Sequence, residues 1–267
     1  MGDCPADSAP RFFVTGLSAL GGASLSDSAD GSAGRVVALD RDQSRHAQRV
    51  LRLEAGDPVQ LLDGQGHVAR AKVAEISGAG VSCVVESVRR VDQVRPQIIL
   101  ATAIPKGPRG DAMANDLAQL GADVLVPMRT ARSVVHPGDG KLERYRKQSA
   151  EAGKQCGRAW WMAVAELTAF DAVLSEYGAS SGSDGDADED ATLRLLANPA
   201  GEPTGAIASR LTGAALAVVL VGPEGGFTPQ EIDAARDAGF VPWRFAPHIL
   251  RVETAAAAAV AVLRALA

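Results

Sequence analysis

Hydrophobic and polar positions along this chain follow two rhythms, and the change between them falls near residue 95. Before it, apolar and polar side chains tend to alternate. Residues 59–73 (VQLLDGQGHVARAKV) read as a strand, an Asp-Gly turn and a second strand of period two, and residues 81–88 continue the alternation. Residues 11–14 and 35–39 read as further strands. Between them, residues 16–34 are rich in Gly, Ser, Ala and Asp, have little to bury and read as a loop. Asp42 or Ser44 is placed to cap a short helix that carries His46, Arg49, Val50 and Leu53. Short strands with one helix predict a small β-barrel over residues 1–90.

Beyond the charged stretch that ends at Pro96, apolar runs alternate with helical stripes. Strands are expected at 97–104, 123–128, 161–167 and 193–197. Helices are expected at 111–120, 141–155, 170–177 and 206–211, with a loop at 105–110 and a turn at 198–205. Met113, Leu117 and Leu120 share one face of the first helix, and Gly121 closes it. Such alternation predicts an α/β domain with a mostly parallel sheet over residues 95–267.

The most informative stretch is the last. Residues 215–221 (ALAVVLV) form an unbroken apolar run, too short to span a bilayer and suited to a strand buried on both faces. It stops at Gly222-Pro223-Glu224-Gly225-Gly226, where glycines permit positive φ and close approach of backbone to a ligand. Thr228, Pro229 and Glu231 then spell a capped helix start, and Gly239 ends that helix. A strand at 240–245 leads to His248-Ile249-Leu250-Arg251-Val252-Glu253-Thr254 and a helix at 254–266. Strand, glycine turn and helix in this order suit either a nucleotide-like ligand or a tight turn alone. The phosphate-cradling loop needs Lys-Ser/Thr after its last glycine, and Phe227-Thr228 stand there instead; G-x-G-x-x-G is also absent.

Composition narrows the classes. Apolar residues make up 46% of 267, enough for a real core. No run reaches transmembrane length, and the acidic start lacks the layout of a signal peptide. Three scattered cysteines argue against a disulfide framework, and four histidines show no metal-ligand spacing. A reduced, cytoplasmic protein without a metal or a membrane partner is expected. The net charge of −5 is uneven, because residues 176–190 hold six acids and no base. The segment 141–158 holds six bases against two acids, a local patch suited to RNA or to an ordinary solvated helix face. The insert at 180–190 (SSGSDGDADED) spaces Asp184, Asp186 and Asp188 like a calcium loop but lacks the glycine and glutamate that follow in one, so a solvated loop is expected.

GPEGG after an apolar strand, followed by ILRVETAA opening the last helix, closely resembles the SPOUT methyltransferases, and most of all the bacterial 16S rRNA uracil-N3 methyltransferases. RFF near the start, HAQRVLRLEAGD and LLDGQG resemble that family's PUA-like RNA-binding domain. Lys106-Gly107 and Gln155-Cys156-Gly157-Arg158 match further family blocks. The chain departs at Asn115-Asp116 and Gln119, where the family shows Gln-Lys and Glu; at Lys154, where it shows Glu; and at Trp160-Trp161-Met162, which replaces a more basic run.

The resemblance implies a C-terminal domain tied in a trefoil knot, S-adenosylmethionine as cofactor, small-subunit ribosomal RNA as partner, and a homodimer with the last helix near its two-fold axis. Cofactor contacts would come from Leu196, Ala197, Leu220, Val221, Gly222, Pro223, Glu224, Gly225, Gly226, His248, Ile249, Leu250 and Thr254. Arg251 would steady the charge that develops on uracil. Glu253 would take the proton or orient Arg251, or serve only as a helix-start carboxylate. Arg11, Arg49, Arg52, Lys106, Arg109, Arg146 and Arg158 would meet RNA, or pair internally. Two other readings use the same residues: a different RNA target such as a tRNA ribose, and an assembly factor that binds RNA without catalysis.

Overall fold

A computed structural model of the chain describes residues 9–20, 35–179 and 192–267. The acidic insert and most of the 16–34 loop lie outside the described residues. Contacts divide the chain into two units, Met1–Gln93 with Gly153–Trp160 and Val94–Ala152 with Trp161–Ala267.

In the first unit, β1 (Arg11–Phe13), β2 (Val36–Ala38), β3 (Pro58–Leu62), β4 (His67–Ser77) and β5 (Gly80–Arg90) form a sheet in the order β1-β3-β4-β5-β2. The β1–β3 pair is parallel and the others antiparallel. The expected hairpin joins β3 to β4. Asp63 tightens its turn: Oδ1 accepts from the Gln65 and His67 amides at 2.8 and 3.0 Å, and Oδ2 meets His67 Nδ1 at 2.8 Å. Helix α1 (Arg41–His46) is capped by Asp40, whose side chain accepts from the Gln43 amide. Neither Asp42 nor Ser44 caps it. Ser44 is buried one turn in, where its hydroxyl donates to the Leu39 carbonyl and accepts from the Val81 amide, satisfying groups that burial would otherwise orphan. Phe12, Leu61, Val73 and Cys83 belong to one core. Burial pushes the Cys83 thiol up to about 11, so it serves as apolar filling. Gly153–Trp160 joins this unit through the Trp160 indole, which donates to the Val91 carbonyl at 2.7 Å, and through Arg11, which donates to the Gln155 carbonyl at 3.2 Å.

The second unit runs β6 (Gln97–Thr102), α2 (Arg109–Leu120), β7 (Val124–Arg129), α3 (Asp139–Cys156), β8 (Ala163–Val164), β9 (Thr168–Ala169), α4 (Phe170–Tyr177), β10 (Thr192–Pro203), α5 (Thr204–Leu211), β11 (Leu216–Val221), α6 (Pro229–Asp237), β12 (Val241–Arg244) and α7 (Val252–Leu266). Its sheet has the order β12-β10-β11-β6-β7-β8, with β9 also on β7, and every pair is parallel. The alternating pattern of the sequence thus becomes a parallel α/β sheet, as expected.

Three local expectations change. The strand at 161–167 shrinks to β8 and β9, because the exposed Glu166 sits between Val164 and Thr168 and no apolar run bridges them. The turn at 198–205 is absorbed by β10, which continues to Pro203 across a register shift against β12 between Ala197 and Glu202. The last helix starts at Val252, two residues before Thr254. Helix α6 follows its sequence signature: Thr228 and Glu231 exchange hydrogen bonds as a capping box, with Pro229 in the first turn.

β11 is central. Ala217, Val218, Val219 and Leu220 are fully buried. Ala217 and Val219 pack with Met113 and Leu117 of α2 and Ala256 and Val260 of α7. Val218 and Leu220 pack on the other face with Phe170, Phe227, Ala235 and Phe240. At about 1.5–3 kcal/mol for each fully buried large side chain, this strand is the main hydrophobic anchor of the unit. Among the described residues, no helix is long and apolar enough to cross a membrane.

Arg264 fastens the far end of α7 to the start of the sheet. Its guanidinium donates to the Gly121 carbonyl at 2.6 Å, to the Pro96 carbonyl at 2.7 Å and to Asp123 Oδ2 at 2.7 Å. The same Asp123 oxygen accepts from the Ile98 amide. Replacing Arg264 with alanine removes all of these bonds, including an ion pair to a nearly buried carboxylate, so Arg264→Ala is expected to cost about 3 kcal/mol of unfolding free energy. Chemical denaturation measures this; a change below 1 kcal/mol would show that the clasp carries little of the stability.

Candidate active site

Because β10, β11 and β12 are parallel neighbours, the loops leaving them meet at one edge of the sheet. A cavity of about 350 Å3 opens there, all of it within the second unit. Three segments border it: Ala197–Pro199 from β10, the end of β11 with the loop after it (Val221–Phe227), and the end of β12 with the stretch after it (Trp243 to Leu250), with Val252 and Ala255 of α7 behind. A volume in this range suits a small organic ligand.

Of the residues the sequence assigned to a cofactor, Ala197, Val221, Gly222, Pro223, Glu224, Gly225, Gly226, His248, Ile249 and Leu250 line this cavity. Leu196 and Leu220 do not. They are fully buried in the core behind it and support the wall from within. Thr254 also stays off it, exposed in the first turn of α7. Ile249 is 85% exposed, an apolar side chain at the mouth with nothing over it.

Sequence reasoning missed several lining residues. Asn198, Pro199, Phe227, Ile232, Trp243 and Phe245 have no local signature of a site. Trp243 is fully buried, packs at a tilt against Phe245 with ring centroids 4.5 Å apart, and donates through its indole to Thr204 Oγ1. The two rings are inclined at 45°, and with the indole hydrogen bond they fix an apolar corner of the cavity.

Two glycines here have specific reasons. Gly226 adopts φ +66, in the left-handed region, and its amide donates to the Pro223 carbonyl to close the turn. Gly201, in the bulged part of β10, lies so close to β12 that a Cβ would fall 2.4 Å from backbone atoms of Pro242 and Trp243.

Arg251 and Glu253 open α7. Arg251 is exposed, in extended conformation at the N-cap position, with its carbonyl accepting from Ala255. Glu253 is mostly buried. One carboxylate oxygen lies 3.5 Å from Arg109, and the other, Oε2, is buried with no hydrogen-bond partner. Arg109 also reaches Glu224 at 3.4 Å, so it stands between a carboxylate on the glycine loop and one on the last helix. The remaining residues assigned to RNA divide in two. Arg11 donates to Gln60 and the Gln155 carbonyl, and Arg146 is paired with Glu166 and Glu143. Arg49, Arg52 and Lys106 are exposed, and Arg158 is partly buried. Among the described residues no cluster of three or more His, Cys, Asp or Glu could hold a metal ion.

The model of an RNA methyltransferase domain matches residues 93–264, and that of an RNA methyltransferase PUA domain matches residues 39–86. The chain is 32% identical to ribosomal RNA small subunit methyltransferase E of a Synechocystis strain over 231 residues, 86% of this chain and 73% of that protein. It is 32% identical to the protein of the same name in Mycobacterium tuberculosis over 237 residues, 87% of both chains. Among solved structures it is similar to the ribosomal RNA small subunit methyltransferase E of Neisseria gonorrhoeae bound to S-adenosyl methionine, with a TM-score of 0.78, 25% identity and coverage of 97% of this chain and 98% of that one. A methyltransferase from Legionella pneumophila in complex with the same cofactor aligns with a TM-score of 0.75 at 25% identity, covering 96% and 97% of the two chains.

The close approach at Gly201 gives a direct test of how the wall is built. Gly201→Ala should push β10 from β12 and cost about 1–3 kcal/mol, the usual range for overpacking. Denaturant unfolding checks the stability, and near-ultraviolet dichroism of the tryptophans checks whether Trp243 has moved. Unchanged values in both would mean that the strands part without strain.

Proposed function

This chain belongs to the ribosomal RNA small subunit methyltransferase E family, and from that premise we propose that it methylates N3 of a uridine in small-subunit ribosomal RNA. The observation that carries the proposal is the cavity bounded by the GPEGG loop, the HILR segment and the end of β10. S-adenosylmethionine is the cofactor, and the residues present fit it. Main-chain groups at Gly222, Gly225 and Gly226 are reachable for the polar edges of an adenosine. Phe245, backed by the buried Trp243, and Ile249 offer apolar surface to a ring and a sulfonium-bearing chain. Held there, S-adenosylmethionine supplies an activated methyl group.

The protein's task is then to place uracil N3 in line with that methyl and to manage a proton and a charge. N3 of uracil is a weak acid, and losing its proton spreads negative charge over O2 and O4. Arg251, exposed beside the cavity at the start of α7, meets that charge. Glu253 Oε2, buried and unpartnered, is an acceptor in reserve for the N3 proton, while Arg109 holds the other oxygen of the same carboxylate. With Arg109 on one oxygen, the unpartnered Oε2 is the acceptor this reading uses, and it lies inside the protein at the first turn of α7.

RNA contacts are assigned by the same reading to Arg49, Arg52 and Lys106, whose charges face solvent. Arg11, Arg146 and Arg109 hold internal partners and would need to exchange them to reach a phosphate. A knotted course of the tail belongs to this reading too. It is supported by the path of the chain, which runs from β12 at one edge of the sheet back past the end of β11 and then into α7 beside β6. The reading also makes the protein cytoplasmic and a homodimer. One face of α7 supports the dimer: Ala257, Ala258, Ala261, Ala265 and Leu266 keep part of their apolar surface uncovered within one chain.

Arg251→Ala should reduce methylation by about 10²-fold or more, the typical loss of one charge-stabilising donor. Cofactor affinity by calorimetry should change little. The product is read as N3-methyluridine by mass spectrometry of ribosomal RNA nucleosides from a deletion strain treated with the purified protein. Methylation of another atom, or near-normal turnover by the variant, would remove the assignment. Light scattering should return twice the 27.5 kDa chain mass at micromolar concentration, and a Leu266→Asp variant should return one chain mass.

A further inference from the structure

The connection from β7 to α3 touches the GPEGG loop through groups that neither sequence motif nor the chemistry above has used. Its first four residues, Thr130 to Ser133, form a closed turn. The Ser133 hydroxyl accepts from the Thr130 amide at 3.0 Å and lies 3.0 Å from the Thr130 hydroxyl, and the Ser133 amide donates to the Thr130 carbonyl at 3.2 Å. From this turn three bonds run to the segment after β11, and the turn is the donor in each. Arg132 Nη1 donates to the Gly225 carbonyl at 2.7 Å, and to the Phe227 carbonyl at 3.4 Å. The Ala131 amide donates to Glu231 Oε1 at 2.7 Å. Glu231 Oε2 accepts from the Thr228 amide at 2.8 Å, so a single carboxylate caps α6 and grips the turn. The aliphatic part of Arg132 also lies over Gly225, where an added Cβ would come within 3.3 Å of Cδ.

We propose that Arg132 is a positioning residue for cofactor binding: with Glu231 it latches the β7–α3 turn onto the GPEGG loop and so presets the main chain that the methyl donor meets. The physical need is plain. Three glycines in five residues leave that loop with many accessible conformations, and binding would have to order them at a cost in entropy. Its local bond, from the Gly226 amide to the Pro223 carbonyl, closes the turn but leaves the Gly225 carbonyl unassigned. A charge-assisted bond of 2.7 Å to that carbonyl fixes the orientation of the peptide between Gly225 and Gly226. Gly225 and Phe227 both border the cavity, so Arg132 acts on the cavity through the backbone it holds.

This inference rests on the assignment of S-adenosylmethionine to the cavity, and the test separates the two. Cofactor affinity is measured by calorimetry, and methylation by steady-state kinetics, for the natural chain, Arg132→Ala, Arg132→Lys and Glu231→Gln. Arg236→Ala, which removes an exposed arginine from α6, controls for charge. If the natural chain fails to bind cofactor, the functional assignment falls and the latch with it. If it binds, Arg132→Ala should weaken binding about tenfold or more. The loss should sit in KM for cofactor more than in kcat, with the unfolding midpoint little changed because the side chain is exposed. Arg132→Lys, which keeps one cationic donor, should recover part of the affinity, and Glu231→Gln should lose some of it. Binding by Arg132→Ala within twofold of the natural chain and of Arg236→Ala would overturn the latch. So would a loss that follows the unfolding midpoint or falls equally on kcat.

Discussion

A single strand buried on both faces constrains everything in the second unit. β11 has parallel partners on either side, helices α2 and α7 over one face, and the packing of α4 and α6 against the other. With no polar side chain and no free edge, it has one register and one direction. Its neighbours must run the same way, so the loops that follow β10, β11 and β12 emerge together. The cavity is a consequence of that shared direction.

The loops themselves are held by arginines, each acting over a long stretch of sequence. Arg264 ties the end of α7 to residues at the start of β6 and β7. Arg109 stands between Glu224 and Glu253. Arg132 holds the carbonyls of Gly225 and Phe227. A guanidinium suits this role because its donors spread in a fixed plane and can satisfy several carbonyl or carboxylate oxygens at once. Arg264 is well buried and bears on stability. The partly exposed pairs of Arg109 contribute little to folding and more to the direction of the groups they touch. Internal use of arginine also changes how the charge of this protein reads: several bases that a count would offer to RNA already have partners.

Motif and pattern went far in this chain because the strongest signals were local. The capping box at Thr228 and Glu231, the glycine that closes α2, the alternating β3–β4 hairpin and the run of β11 are all written in neighbouring residues. Where a competing local option existed, the reading shifted by a few residues. Asp40 won over Asp42 and Ser44 because Ser44 was needed inside the helix to satisfy buried backbone groups. The turn expected at 198–205 became strand because β12 supplied hydrogen-bond partners that no local pattern could reveal. Leu196 and Leu220 belong to the same sequence blocks as the lining residues, but alternation along a strand turns them into the core.

The amino-acid order alone determined the parallel α/β layout, the strand–glycine–helix unit, the family resemblance and ten of the residues that border the cavity. These follow from local propensity, periodicity and motif, which are properties of adjacent positions. Tertiary structure alone decided that Trp243 and Phe245 form the apolar wall, that Glu253 keeps one oxygen unpartnered, and that Arg109 and Arg132 brace the glycine loop from two other connections. Those contacts join residues about a hundred or more positions apart in several cases, and no local pattern carries such a distance. They arise only once a sheet of parallel strands has gathered its loops at one edge.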